Sequence, residues 1–379
     1  MPHTNPPLDE IERCIEARTA LLSPVRRIPG ELLYEIFTHL SYTRKFDALL
    51  EHSHRCCVFH AHIRGVAKPI LALSGLHDRI PQLREFVLIQ VNIQPVEGHS
   101  YLSTAPALRK LLLTDSNLRL RSPYVLTAPW HQITHYRASC TAQQNFDVLL
   151  TASRLVQCGL GFIRVEPLVD YPAGKHAVLP HLRHLKLGAG SEAQFLTHVT
   201  AGPALENLAV CAPYTAVPSF LRRSSSGRFL TQLYLDDDYM NTTAEEIVKV
   251  LRETQALRTL GISCGNPMNN EMEEVWSAMT MTMKAAANNI CPVLRSLVYA
   301  CKGEHEAVDA SFFPMVQSRC GEIPAGSVIL ESLPVVAIDT HPEFVESVKQ
   351  GMGSLPHEFK SQVLEGKEGE AFLSDFTFV

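Results

Sequence analysis

From about residue 80 onward the chain repeats one arrangement of positions, apolar-x-x-apolar-x-apolar, often led by proline. It reads Leu83-Arg-Glu-Phe86-Val-Leu88, then Leu108-Arg-Lys-Leu111-Leu-Leu113, then the weaker Ile133-Thr-His-Tyr136-Arg-Ala138 and Leu155-Val-Gln-Cys158-Gly-Leu160. It continues as Leu182-Arg-His-Leu185-Lys-Leu187, Leu205-Glu-Asn-Leu208-Ala-Val210 and Leu230-Thr-Gln-Leu233-Tyr-Leu235. Leu257-Arg-Thr-Leu260-Gly-Ile262 and Leu294-Arg-Ser-Leu297-Val-Tyr299 close the series. First residues of successive frames lie 25, 25, 22, 27, 23, 25, 27 and 37 positions apart.

The closing apolar-x-apolar pair is a short strand with one buried face, because side chains alternate across a strand. The apolar residue three places earlier turns the chain into it. Helical stripes occupy the intervals at 145–152, 192–199, 217–222 and 243–253. In the last of these, Ile247, Val248, Val250 and Leu251 share one side after a capping Asn-Thr-Thr. One strand plus one helix per unit of about 25 residues is the leucine-rich-repeat period. The expected fold is therefore α/β: an irregular solenoid with a curved parallel sheet and helices outside, each unit buried only against its neighbours. Irregularity is expected because the loop Asn or Cys of such repeats is mostly missing, and because a Met-rich helix over 272–288 fills the widest interval. Beyond 303 the pattern predicts helices at 310–319 and 342–350 and a polar stretch near 364–370.

A second pattern precedes the repeats. Pro29 follows an extended approach and suits the first turn of a helix. Leu32, Leu33, Ile36, Phe37 and Leu40 then form an amphipathic stripe that needs a partner to bury it. A weaker stripe spans residues 9–22, and helix is also expected over 43–51.

Composition narrows the function classes. Lys and Arg total 34 against 39 Asp and Glu, a net charge of -5, so no overall basic field points to nucleic acid. No apolar run approaches the roughly 20 residues of a membrane span, and the first ten residues lack the build of a secretory signal. The ten cysteines are scattered without a C-x-x-C pair, which fits reduced thiols in the cytoplasm or nucleus.

The run Ile28-Pro29-x-Glu31-Leu32-Leu33-x-x-Ile36-Phe37, set ahead of the repeats, resembles the first half of an F-box. Together with Leu22-Ser-Pro-Val-Arg-Arg and the Pro-x-Leu-Arg-x-Leu repeats, it is similar to the F-box proteins with leucine-rich repeats of mushroom-forming fungi. The resemblance implies a non-catalytic substrate receptor. Its F-box docks on a Skp-type adaptor, and through it a cullin, while its repeats hold the protein to be ubiquitinated. Carried over residue by residue, the adaptor contacts are Ile28, Pro29, Leu32, Leu33, Ile36 and Phe37. The pattern departs after Leu40, where the second half of the motif is missing and no tryptophan occurs before Trp130. The alternative expectation is therefore a protein-interaction scaffold with a vestigial F-box. The organisation on this reading is a tail and helix over 1–20, a partial F-box over 21–45 and a junction or N-terminal cap over 46–79. Repeats follow over 80–302, then a C-terminal cap and tail over 303–379.

The third and fifth places of each frame should face the open side of the sheet. Lys110, His135, Arg137, His184 and Lys186 there form a basic band, continued by Gln232 and Tyr234. These seven are the expected target-binding residues, and the band favours an acidic partner segment. Other chemistry is not expected. His52, His54, Cys56, Cys57, His60 and His62 lack zinc-ligand spacing, and no nucleophile elbow or phosphate loop appears. Gly159-Leu-Gly161 is only a fragment of a dinucleotide fingerprint. No metal, cofactor, nucleic acid or membrane partner is expected.

Overall fold

Each frame folds as a tight turn feeding a strand. The amide of its first residue closes back on a carbonyl three places earlier, as Leu83 on Ile80, Leu108 on Ala105, Ile133 on Trp130 and Leu257 on Thr254, or four places earlier at Leu230 on Ser226. The carbonyl of its second residue then accepts two N–H groups from the next frame. Arg84 O, for example, takes Arg109 N at 2.8 Å and Lys110 N at 3.0 Å. The same shared carbonyl recurs at Arg109, Thr134, Val156, Arg183, Glu206, Thr231, Arg258 and Arg295. This locks neighbouring strands in register.

The computed structural model describes residues 54, 56–64, 78–91, 102–115, 127–162, 175–188, 193–211, 213–237, 242–265, 271–282, 289–302, 310–320, 327–338, 340, 342–356 and 359–376. The expected F-box segment, with Ile28, Pro29, Leu32, Leu33, Ile36 and Phe37, lies outside them.

The strands are β1 (Val58–Arg64), β2 (Glu85–Val91), β3 (Lys110–Asp115), β4 (His135–Cys140), β5 (Gln157–Phe162), β6 (Ala177–Leu179) and β7 (His184–Leu187). After them come β8 (Val199–Ala201), β9 (Asn207–Cys211), β10 (Gln232–Asp237), β11 (Thr259–Cys264), β12 (Ser296–Lys302), β13 (Ser332–Ile338) and β14 (Lys360–Glu365). Among the described residues, twelve of them form one sheet in chain order, omitting only β6 and β8, which pair with each other. Neighbouring strands pair in parallel with frame on frame. Lys110 stands beside His135, His135 beside Gln157, Gln157 beside His184, and His184 beside Asn207.

Helices α1 (Ala142–Thr151), α2 (Ala193–Thr197), α3 (Val217–Ser224), α4 (Ala244–Arg252), α5 (Glu271–Met279), α6 (Phe312–Cys320) and α7 (Pro342–Met352) lie on one face. Their apolar sides meet the first, fourth and sixth residues of the frames: Leu230, Leu233 and Leu235 are at most 1% exposed. Each such leucine contributes about 1.5–3 kcal/mol by burial. Helix starts are fixed locally. Thr141 and Gln144 form a reciprocal capping box for α1, and Thr243 Oγ1 accepts the Glu246 amide of α4, as the Asn-Thr-Thr start foretold.

Three expectations need correction. First, the parallel array runs past 80–302 in both directions, with β1 inside the expected junction and β13 and β14 inside the expected C-terminal cap. Second, the Met-rich helix is shorter than 272–288. It ends at Met279, after which Asn289 Oδ1 accepts the Thr282 amide and its Nδ2 donates back to Thr282 O. Third, the polar stretch near 364–370 holds the end of β14 and the start of α8 (Gly366–Phe376). That last helix sits on the opposite face of the sheet from the others. Its Leu373 and Phe372 join Val298, Ala300, Val336, Ile338 and Leu364 in a separate apolar cluster. Gly366, at φ +50, makes the reversal, and Gly369 lets the helix approach closely, since a Cβ there would stand 2.6 Å from Val336 Cγ1.

Candidate functional site

The face away from α1–α7 carries a trough of about 180 Å³ crossing β2 to β10. All seven expected target-binding residues line it: Lys110, His135, Arg137, His184, Lys186, Gln232 and Tyr234. Alternation along each strand puts them there, because the leucines of the same frames point the other way.

At the β2 end, Glu85 holds two groups, His60 Nε2 at 3.1 Å and Lys110 Nζ at 3.6 Å. The histidines are oriented by neighbours. The Thr134 hydroxyl donates to Arg109 O (3.2 Å) and so accepts from His135 Nδ1 at 2.9 Å. Asn207 Nδ2 donates to His184 Nδ1 at 2.8 Å, leaving the His184 proton on Nε2. Burial holds both imidazoles below the ordinary histidine value. Lys110 and His184 add to the depression at His135 against Glu85, while at His184 the Glu206 carboxylate opposes and Arg183 adds to it.

In the middle, Arg137 on β4, Gly159 on β5 and Lys186 on β7 are consecutive register partners. Gly159 makes room for the Arg137 side chain. A Cβ there would stand 3.2 Å from Arg137 Cγ, so the arginine stem lies over the glycine toward Lys186. Burial and the Arg137 charge together push the Lys186 ammonium down to about 8, against the pull of Cys211 and Asp236. Asp236 itself is 3.4 Å from Lys302 Nζ, at the β10 end.

The crowding of two cations makes a checkable statement. Replacing Arg137 by Gln should raise the Lys186 pKa from about 8 toward the ordinary lysine range. Titration of the isotopically labelled ammonium by NMR measures it, and an unchanged value contradicts the assignment. Because the folded value lies below the unfolded one, the unfolded chain binds more protons here between about pH 8 and 10.4. The Lys186 contribution to stability therefore rises with pH across that window and is lost again as pH falls through about 8.

Gly159, Gly161 and Asp236 were not among the expected residues. The signal was present for Gly159, which occupies an open-face place where the neighbouring frames carry Arg137 and Lys186. Among the described residues, no group of three His, Cys, Asp or Glu is placed to hold a metal ion. The cysteines described are thiols, and burial pushes Cys291 and Cys320 up to about 11, well above a reactive range. No described helix is long and apolar enough to cross a membrane. No family model matches the chain, and no curated protein matches it either.

Proposed function

We propose that this protein is the substrate-recognition subunit of a Skp–cullin–F-box ubiquitin ligase, working in the cytoplasm or nucleus and holding its target in the trough. The observation that carries the reading is the Ile28–Phe37 run placed ahead of a strand–helix array. The array is read as an irregular leucine-rich-repeat solenoid, on the strength of its frame spacing near 25 and its frame-on-frame register. The role is non-catalytic: the trough offers cations and amides for binding, and the buried thiols are poor nucleophiles. Leu32, Leu33, Ile36 and Phe37 supply the apolar stripe that helix-in-groove docking requires.

A pull-down of the full chain by a purified Skp-type adaptor tests it. Retention is expected, and Phe37→Ala should weaken it about tenfold or more, the effect of losing an aromatic anchor. Failure of the unsubstituted chain to bind, or equal retention of both, overturns the reading.

One observation favours a second reading, an interaction scaffold with a vestigial F-box: the motif stops after Leu40, and the next tryptophan is Trp130. Sequencing of transcripts across codons 38–50 discriminates the two, since a longer spliced form carrying a tryptophan would restore the complete motif.

A further inference from the structure

We infer that the trough binds an extended acidic peptide segment of about seven residues, laid across the strands from β3 to β10 with its carboxylates at Lys110, Arg137 and Lys186. This extends the reading of the trough as the target site, and its test uses no adaptor, so the two can fail separately.

The length follows from the sheet. From β3 to β10 the order is β3-β4-β5-β7-β9-β10, five spacings of about 4.8 Å, or about 24 Å, which an extended chain spans with about seven residues at 3.4 Å each. Both ends are bounded. Glu85 at β2 repels further carboxylates, and beyond β10 the same face closes, because Ser263, Val298 and Ala300 are at most 1% exposed. Past them, α8 covers β13 and β14.

The sign of the partner follows from charge. The whole chain is net -5, yet the trough is lined by Lys110, Arg137 and Lys186 against one lining carboxylate, Glu85 at its β2 end, with Asp236 acting on Lys186 from β10. Two cations meeting over Gly159 cost electrostatic energy that an incoming carboxylate relieves. A peptide fits better than a nucleic acid, because the floor is glycine and alanine with Tyr234 nearly buried, so bases find no exposed stacking platform.

The histidines add a pH dependence. His135 faces Lys110 and Glu85 from β3 and β2, Gln157 from β5 and His184 beyond it; His184 faces Asn207, Glu206 and Arg183. Both are neutral at pH 7, and neutral His135 presents the Nε2 lone pair, which repels a carboxylate. Protonation turns that nitrogen into a donor, so acidic peptides should bind more tightly as pH falls below the ordinary histidine range.

Fluorescence anisotropy of the full chain with labelled oligoglutamates of about three, five, seven and ten residues tests the inference. Affinity should rise up to about seven residues and then level off. Arg137→Gln and Lys186→Gln should each weaken binding about tenfold. Gly159→Val, which displaces the Arg137 stem without changing charge and suits a strand, should abolish binding while circular dichroism stays unchanged. No measurable binding, insensitivity to these substitutions, affinity that keeps rising with length, or equal binding of an oligouridylate of the same charge would each overturn it.

Discussion

Arg319→Met should destabilise the protein by about 2–6 kcal/mol, from two buried carbonyls left without donors at about 1–3 kcal/mol each. Arg319 is fully buried, and its guanidinium is spent on backbone oxygens. Nε and Nη2 donate to Met279 O at 3.1 and 2.7 Å, Nη1 to Cys291 O at 3.0 Å, and Nη2 also to Ile290 O at 2.7 Å. Burial lowers its pKa, yet arginine stays charged at any working pH. Its carbonyl also accepts the Leu330 amide at 3.0 Å, at the start of the approach to β13. These contacts fasten the 37-residue interval, in which α5 ends early and Cys291 takes a left-handed backbone at φ 47. Methionine fills much of the volume but leaves the Met279 and Ile290 carbonyls without the guanidinium donors, while Cys291 O keeps the Leu294 amide. Lysine should recover only part of the loss, because one ammonium cannot reproduce the planar fork. Urea unfolding of the two variants measures this. A loss below about 1 kcal/mol for Arg319→Met would mean that the carbonyls find other donors.

Trp276→Ala is expected to cost a similar amount, about 3–5 kcal/mol, through the cavity it leaves. Trp276 is fully buried on α5, edge-on to Tyr299 of β12 at 5.2 Å and to Phe312 of α6 at 5.0 Å. Tyr299 and Phe312 are themselves 5.0 Å apart, so the three rings close a triangle joining a helix, a strand and the next helix. Trp276→Phe should lose less than half as much, since it keeps one ring in contact. Thermal unfolding of each variant and of the Arg319→Met double mutant reads both the size and the coupling. Less than additive loss is expected, because both residues hold the same segment. Neither substitution touches the trough, so peptide affinity of the folded fraction should be unchanged.

The nine frames between Leu83 and Tyr299 were legible because the signal is local. Each needs only six residues to declare a turn, a strand and its buried face, and every one of them forms a strand in the long sheet. The strands that escaped show why such reading has limits. Leu330-Glu-Ser-Leu333-Pro-Val335 obeys the frame, but follows its predecessor by 36 residues and carries Pro334 in the strand. The structure accommodates it by interrupting the β12–β13 pairing at Leu333 and Pro334, where proline has no N–H to give. In β14 the fourth and sixth places hold Ser361 and Val363, so a polar residue stands where the frame carries an apolar one. In β1 the places hold Cys56, Phe59 and Ala61, and stacking of Phe59 on Phe86 at 5.0 Å supplies the missing apolar bulk.

The site divides the same way. By itself the sequence determined the frame, the strands it makes and the face on which Lys110, His135, Arg137, His184 and Lys186 would stand, because alternation along a strand is a property of six consecutive residues. Only the tertiary structure decided that Arg137 and Lys186, 49 positions apart, would meet over Gly159, and that α8 would cross to their side of the sheet. The physical reason is that each neighbour in a parallel array is supplied by another repeat. A side chain's charge and space are set by residues about 25 positions away, whose register comes from shared carbonyls and not from any local pattern.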